Sequence, residues 1–200
     1  MVVFDVDGVL VTGHKEKGGW WHVDMKEDLG VDPDLFQNSF FTDQWADIVC
    51  GRLGIEEPLA KALGEIAPHL NVEMLLDYWF AQDAGMDQSL LAGLETLRSR
   101  SNVGLCLATN QEHHRARYLW KVLGLEHVFD AIHYSADIGH QKPALEFFAA
   151  VEDRTGFDGA HLLFFDDQEP NVLAARQRGW NAHLWTGLAT LEEALLIHDI

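Results

Sequence analysis

Asp5 and Asp7 stand two residues apart at the end of an apolar run, Met1-Val2-Val3-Phe4-Asp5-Val6-Asp7-Gly8. Carboxylates placed this closely repel each other unless a cation, a proton or hydrogen bonds offset the repulsion. Such a pair can hold a metal, or supply a nucleophile with an acid/base partner. A solvated Asp-x-Asp-Gly turn has the same letters. The lead-in favours chemistry, because Val2, Val3, Phe4 and Val6 read as a short buried strand. Alternation along that strand sets both carboxylates on one side, and Gly8 permits a sharp turn after them.

Three further segments carry useful groups after apolar runs. One is Ala108-Thr109-Asn110, and another is Gly139-His140-Gln141-Lys142-Pro143. The third is Phe165-Asp166-Asp167, with Asn171 nearby. Taken singly, Thr-Asn is an ordinary turn and helix cap, and Lys before Pro is an ordinary surface residue. Asn171 either shapes the acidic loop or simply opens a helix. In an open parallel sheet, however, ligands bind beyond the carboxyl ends of the strands. Four polar groups in this order at one predicted edge point to a site.

The elements that must position them alternate. Strands are expected at 103–108, 131–134, 161–165 and 181–185. Helices are expected at 114–123, 144–154, 170–178 and 191–197. Gly124, Gly156 and Gly179 serve as stops, and Pro170 sits in a first turn. This pattern predicts an α/β fold, a Rossmann-like parallel sheet with helices on both faces. Residues 14–86 differ: helical stretches at 33–41, 44–53, 58–66 and 72–81, and no convincing strand. The expected organisation is a core of residues 1–13 and 87–200 with a helical insertion at 14–86. A helix at 89–100 leads back into the sheet.

Composition narrows the partners. Lys and Arg number 14 against 32 Asp and Glu, a formal net charge of −18. That excess argues against nucleic-acid or anionic-membrane binding, which needs a basic face. It suits divalent cations where acids cluster. An anionic substrate would need positive charge supplied locally by a metal and a few Lys or Arg. Cys50 and Cys106 are far apart and form no C-x-x-C unit, so both read as reduced core thiols of a cytoplasmic protein. No leader pattern and no span of membrane-crossing length is expected.

The four segments, in this order, resemble the motifs of the haloacid dehalogenase superfamily. Phe4-Asp5-Val6-Asp7-Gly8-Val9-Leu10 looks like its first motif, and Leu107-Ala108-Thr109-Asn110 like its second. Lys142 in Gly-x-x-Lys-Pro looks like the third, and Phe165 to Val172 like the acidic fourth. The helical insertion resembles the family's helical cap. The resemblance implies a Mg2+-dependent phosphatase acting on a small phosphorylated metabolite such as a sugar phosphate. Asp5 would be the nucleophile that becomes an aspartyl-phosphate, and Asp7 the general acid and then base. Thr109, Asn110 and Lys142 would bind the phosphoryl group. Asp5, Asp166, Asp167 and the backbone carbonyl of Asp7 would hold Mg2+. Dehalogenase members lack an acid at the position of Asp7, so its presence turns the expectation toward phosphoryl transfer.

Two other outcomes stay open. A phosphomutase would grip a second phosphate from the cap, for which Arg52 and Lys61 are candidates beside the bland reading of a solvated helix face. A non-catalytic binding or regulatory protein would keep the fold and lose a core residue, and none is missing. His14-Lys15-Glu16-Lys17 could greet an anion, and Trp20 and Trp21 could shield it, although a polar hairpin with an apolar base would look the same. His113 and His114 lack the spacing of a strong metal motif and read as a surface helix start. His140 lies two residues from Lys142, where loop polarity also explains it.

Overall fold

The computed structural model describes residues 1–13, 21–42, 44–100 and 102–198, with the backbone alone at residue 100. His14 to Lys17 and Trp20, expected to greet or shield an anion, lie outside the described residues. The strands are β1 (Val2–Phe4), β2 (Leu105–Thr109), β3 (Ala131–Tyr134), β4 (Leu163–Asp166) and β5 (Asn181–Leu184). They form one parallel sheet in the order β3-β2-β1-β4-β5, with Phe4 aligned to Leu107 on one side and Phe165 on the other. β1 is therefore central, flanked by the two strands that carry the second and fourth polar segments. Its three residues are wholly buried, as strands covered on both faces must be.

The chain leaves the sheet after β1 through α1 (Met25–Leu29), α2 (Pro33–Phe36), α3 (Trp45–Val49), α4 (Glu56–Ile66) and α5 (Val72–Gln82). It returns along α6 (Gln88–Arg100). After β2 come α7 (His113–Arg117), α8 (Ser135–Ile138), α9 (Leu145–Thr155), α10 (Glu169–Gln177) and α11 (Leu188–Ile197). The outgoing and returning segments run side by side: Thr12 N–H donates to Gly85 O at 3.0 Å, and Asp87 N–H to Leu10 O at 2.8 Å.

Three apolar clusters result. One holds Phe4, Phe129, Phe165 and Trp185 on one face of the sheet, and a second holds Phe147, Phe148, Phe164 and Trp180 on the other. The alternation of Phe164 and Phe165 supplies one ring to each face. The third lies among α1 to α5, around Phe36, Phe40, Leu59, Leu75 and Trp79.

The sequence expectations of a parallel α/β sheet and a helical stretch after β1 hold. β3 has the expected bounds, because its four residues are flanked by clear breaks. Several details differ: β2 starts two residues late, at Leu105, and the helix expected at 44–53 spans Trp45–Val49. α1 and α8 are short helices without a full amphipathic repeat, so periodicity passes over them. The helices expected at 33–41 and 114–123 each begin as α-helix and widen into a π-helical turn, at Gln37–Phe41 and Tyr118–Val122. The first such turn lets the adjacent rings of Phe40 and Phe41 both meet Trp45, at 6.0 and 4.8 Å. β4 starts two residues late because Gly159–His161 forms a 3-10 turn. α11 starts three residues early, at Leu188.

Candidate active site

The carboxyl ends of β1, β2 and β4 open on a cavity of about 540 Å³. Asp5, Asp7, Thr109, Asn110, Lys142 and Asp167 line it, joined by Asn171. The residues singled out in the four polar segments thus meet at one place. Asp166 lies directly beneath, wholly buried.

Lys142 organises the centre. Its ammonium is 2.8 Å from Asp5 Oδ1 and donates to Asp166 Oδ2 at 2.6 Å, with the side chain 1% exposed. An ammonium so buried survives only because both carboxylates surround it. Burial works against its charge, but Asp5 and Asp166 outweigh it and hold the Lys142 pKa above its ordinary value. The loop is fixed by Asn110, whose side chain accepts from Lys142 N–H at 2.8 Å and donates to Lys142 O at 3.0 Å. The Lys142–Pro143 peptide is cis. The Asn110 side chain thus serves the lysine rather than a ligand.

The two acids at the end of β4 differ. Asp166 accepts from Lys142, from Gln168 N–H at 2.8 Å, and from Asn171 Nδ2 at 3.0 Å to each oxygen. Four hydrogen bonds fill the acceptor sites of a carboxylate. Asn171 therefore shapes the acidic loop and also stands in the first turn of α10, so both readings offered by the sequence hold. Asp167 faces the cavity and accepts from Gln168 Nε2 at 2.9 Å. It is pressed against Gly8, which turns at φ +81° and where a Cβ would come within 2.3 Å of Asp167 Oδ2. One oxygen each from Asp5, Asp166 and Asp167 lie within 4.8 Å of one another, the kind of group that can hold a cation.

The electrostatics follow from crowding. Desolvation above all, with Asp166 and Asp7, raises the Asp5 pKa to about 7 against the pull of Lys142. Asp7 is exposed on the cavity side, yet the surrounding protein desolvates it enough to raise its pKa against the pull of Arg115, Gln111 and Lys142. Asp167 is also raised, first by desolvation. Among the described residues lining the cavity, Lys142 is the single Lys or Arg.

Other candidates fall elsewhere. Arg52 is exposed and paired with Asp47 at 2.7 Å, and Lys61 lies on a separate hollow of about 260 Å³. Neither lines the main cavity, so neither is in position for a second phosphate there. His113 is bonded to Tyr134 Oη at 3.3 Å and His114 to Glu56 at 2.7 Å, as befits a helix start on the surface. His140 is exposed and does not line the cavity. Trp21 does line it, stacked on Trp79 with centroids 4.7 Å apart.

Sequence reasoning passed over four residues. Gln111 is buried and donates to Asp7 Oδ2 at 2.6 Å. It sits two residues after Thr109, so period two was the available signal. Glu112 caps α7 by accepting from His114 N–H at 2.8 Å and from Arg115 N–H. Buried Arg115 reaches to α5, donating to Phe80 O at 3.3 Å and pairing with Asp83 Oδ2 at 3.2 Å. Ser135 donates to Val49 O at 2.5 Å, tying α3 to the end of β3. The last two partners lie far off in sequence, where no local signal reaches.

A family profile described as haloacid dehalogenase-like hydrolase matches residues 1–179. The fructose-1-phosphate phosphatase YqaB of Escherichia coli (strain K12) is 32% identical over 78 residues. That match covers 39% of this chain and 42% of YqaB, so the chain spans less than half the length of this relative. Among solved structures, a haloacid dehalogenase family enzyme of Bacteroides thetaiotaomicron in complex with magnesium superposes with a TM-score of 0.75. It is 20% identical and the match covers 92% of this chain and 91% of that one. The same enzyme with magnesium and inorganic phosphate gives a TM-score of 0.73 at 18% identity, covering 92% of each chain. At these identities the likeness is one of fold.

Proposed function

The chain belongs to the family of haloacid dehalogenase-like hydrolases, and from that membership we propose a Mg2+-dependent phosphatase. Its substrate is a small phosphorylated metabolite of the sugar-phosphate kind, and the reaction runs through an aspartyl-phosphate on Asp5. The observation that carries this reading is the bridge of Lys142 between Asp5 and Asp166, at 2.8 and 2.6 Å, beside a second acid on the same strand end.

In the first step a carboxylate oxygen of Asp5 attacks phosphorus while the bond to the leaving oxygen breaks. Asp7 gives that oxygen a proton. In the second step water attacks the same phosphorus, Asp7 takes a proton from the water, and Asp5 is released with inorganic phosphate. Lys142 offsets charge on the nucleophile and on the phosphoryl oxygens, which is the main need of this chemistry. Thr109 supplies a hydroxyl at the same cavity, with the Asn110 backbone alongside it.

The donor set fits Mg2+: hard carboxylate oxygens, gathered within 4.8 Å, carrying more negative charge than Lys142 neutralises. Asp5, Asp167 and the Asp7 carbonyl would hold the ion. Asp166 belongs to the same group, but its hydrogen bonds give it first to Lys142 and Asn171. When bound, Mg2+ supplies positive charge that offsets the phosphoryl oxygens.

Residues 14–86 are read as the cap. Trp21 and Asp83 line the cavity from that side, and its volume suits a small molecule. The position of Arg52 and Lys61 away from it favours a phosphatase over a phosphomutase. YqaB, a phosphatase of fructose 1-phosphate, and the Bacteroides enzyme with magnesium and phosphate bound agree with this reading.

The test is hydrolysis of p-nitrophenyl phosphate with and without Mg2+, followed by a panel of phosphorylated metabolites. Turnover should require the metal and fall on the order of a thousandfold or more in Asp5→Asn. Metal-independent turnover, or an unaffected variant, would sink the reading.

A further inference from the structure

We propose that Gln111 is the residue that orients the acid/base Asp7, holding one of its oxygens and so setting the direction in which the other exchanges a proton. This rests on the phosphatase reading above. Gln111 is 5% exposed, and its Nε2 donates to Asp7 Oδ2 at 2.6 Å. The same nitrogen lies 3.4 Å from Thr109 Oγ1. A carboxylate and a hydroxyl both accept at that nitrogen, and this fixes which end of the amide faces Asp7.

The backbone of Gln111 is held as firmly as its side chain. Its N–H donates to Ser135 Oγ at 2.9 Å, and its carbonyl accepts from Ala136 N–H at 3.2 Å. Ser135 is wholly buried and also bonded to Val49 O. Gln111 is thus a rigid donor aimed at a carboxylate that otherwise sits on an exposed turn. The bond to Oδ2 fixes the orientation of the carboxylate, and with it the direction in which Oδ1 can exchange a proton. General acid catalysis needs both the right proton and the right direction, because the transfer happens over hydrogen-bond distance. Gln111 touches no reacting atom in this scheme; it acts through Asp7.

The assignment makes a prediction that plain structural support does not. An aryl phosphate with a stable phenolate leaves without help from an acid, whereas an alkyl phosphate needs its leaving oxygen protonated. Gln111→Met keeps length and packing and removes the donor. With Mg2+ present, kcat/KM for glycerol 2-phosphate should fall at least about tenfold more than kcat/KM for p-nitrophenyl phosphate. In an Asp7→Asn background the same substitution should add little, since the group it orients is gone. Equal losses on both substrates, or independent losses in the double variant, would overturn the assignment. Should Gln111→Met fail to fold, Gln111→Asn, one methylene too short to reach, must show the same split in kcat/KM. If the unaltered chain hydrolyses neither ester with Mg2+, the phosphatase reading itself fails, and the role of Gln111 falls with it.

Discussion

The edge of the sheet and the helical segment between α1 and α5 are held together by opposite means. Around Lys142, buried charges are fixed by directional bonds: four acceptor contacts on Asp166, a clasp from Asn110, an amide on Asp7. Among α1 to α5, the buried cluster is apolar throughout, with Trp21, Phe36, Phe41, Trp45 and Trp79 meeting ring on ring. Directional bonds tolerate little change, because a buried charge that loses its partner is costly. Apolar packing tolerates exchange as long as volume is kept. The contrast explains how one region can keep a reaction while the other adjusts to a substrate.

The largest test of that contrast is Lys142→Met. It leaves Asp5 and Asp166 buried without their cation and should lower stability by about 3–5 kcal/mol. Chemical denaturation would register this loss, and phosphatase turnover should vanish with it. Trp79→Ala should be similar in stability, about 3–5 kcal/mol, because Trp79 is 7% exposed and stacks on Trp21. Trp79→Phe should recover most of the loss, whereas Lys142→Arg should not restore turnover. A rescue pattern the other way round would break the comparison.

His133 on β3 is a buried polar group outside that network, with Arg154 and Asp137 as its charged neighbours. Its Nε2 is buried without a hydrogen-bond partner among the described residues, and burial lowers its pKa to about 4. The folded chain then keeps His133 neutral while the unfolded chain protonates it below 6.5. Stability from this group is complete above 6.5 and lost as pH falls toward 4, by roughly 3 kcal/mol. Unfolding curves of the wild type and His133→Phe should diverge across that window in favour of the variant.

Mg2+ acts in the other direction on the same scale. Without a cation, Asp5 keeps its proton to a higher pH than an ordinary carboxyl, since burial raises its pKa to about 7. A metal must displace that proton below pH 7 and need not above it. At a hundred times its Kd, Mg2+ should stabilise the chain by about 2.7 kcal/mol at pH 8. At pH 5.5 the same concentration should give a much smaller shift in the thermal midpoint. The smallest effect is expected at Arg52→Ala, which should leave turnover unchanged, because Arg52 is exposed and, among the described residues, bonds to nearby Asp47 and Ala46. A loss of turnover there would bring the phosphomutase reading back.

Much of the polar region was legible because each motif couples a local pattern to a strand end. Asp5, Asp7, Thr109, Lys142 and Asp167 could be placed on one cavity from alternation and topology alone. The division of labour between Asp166 and Asp167 was not legible, since adjacent identical residues differ only in what surrounds them. Arg115 and Ser135 stayed hidden for the same reason: their partners, Asp83 and Val49, are brought near by the fold. The π-helical turn at Gln37–Phe41 was illegible because the packing of Phe40 and Phe41 against Trp45, not local propensity, rewards the widened turn.

Gly8 has a consequence for how closely the acids of the site can gather. Asp167 occupies the very space a side chain at position 8 would need. The missing methyl lets the acid of β4 lean over the turn that follows β1, drawing carboxylates from two strands into one small volume. With alanine there, Asp167 would have to move aside from the group it forms with Asp5 and Asp166. A residue with no side chain thus sets how closely the acids that follow β1 and end β4 can approach.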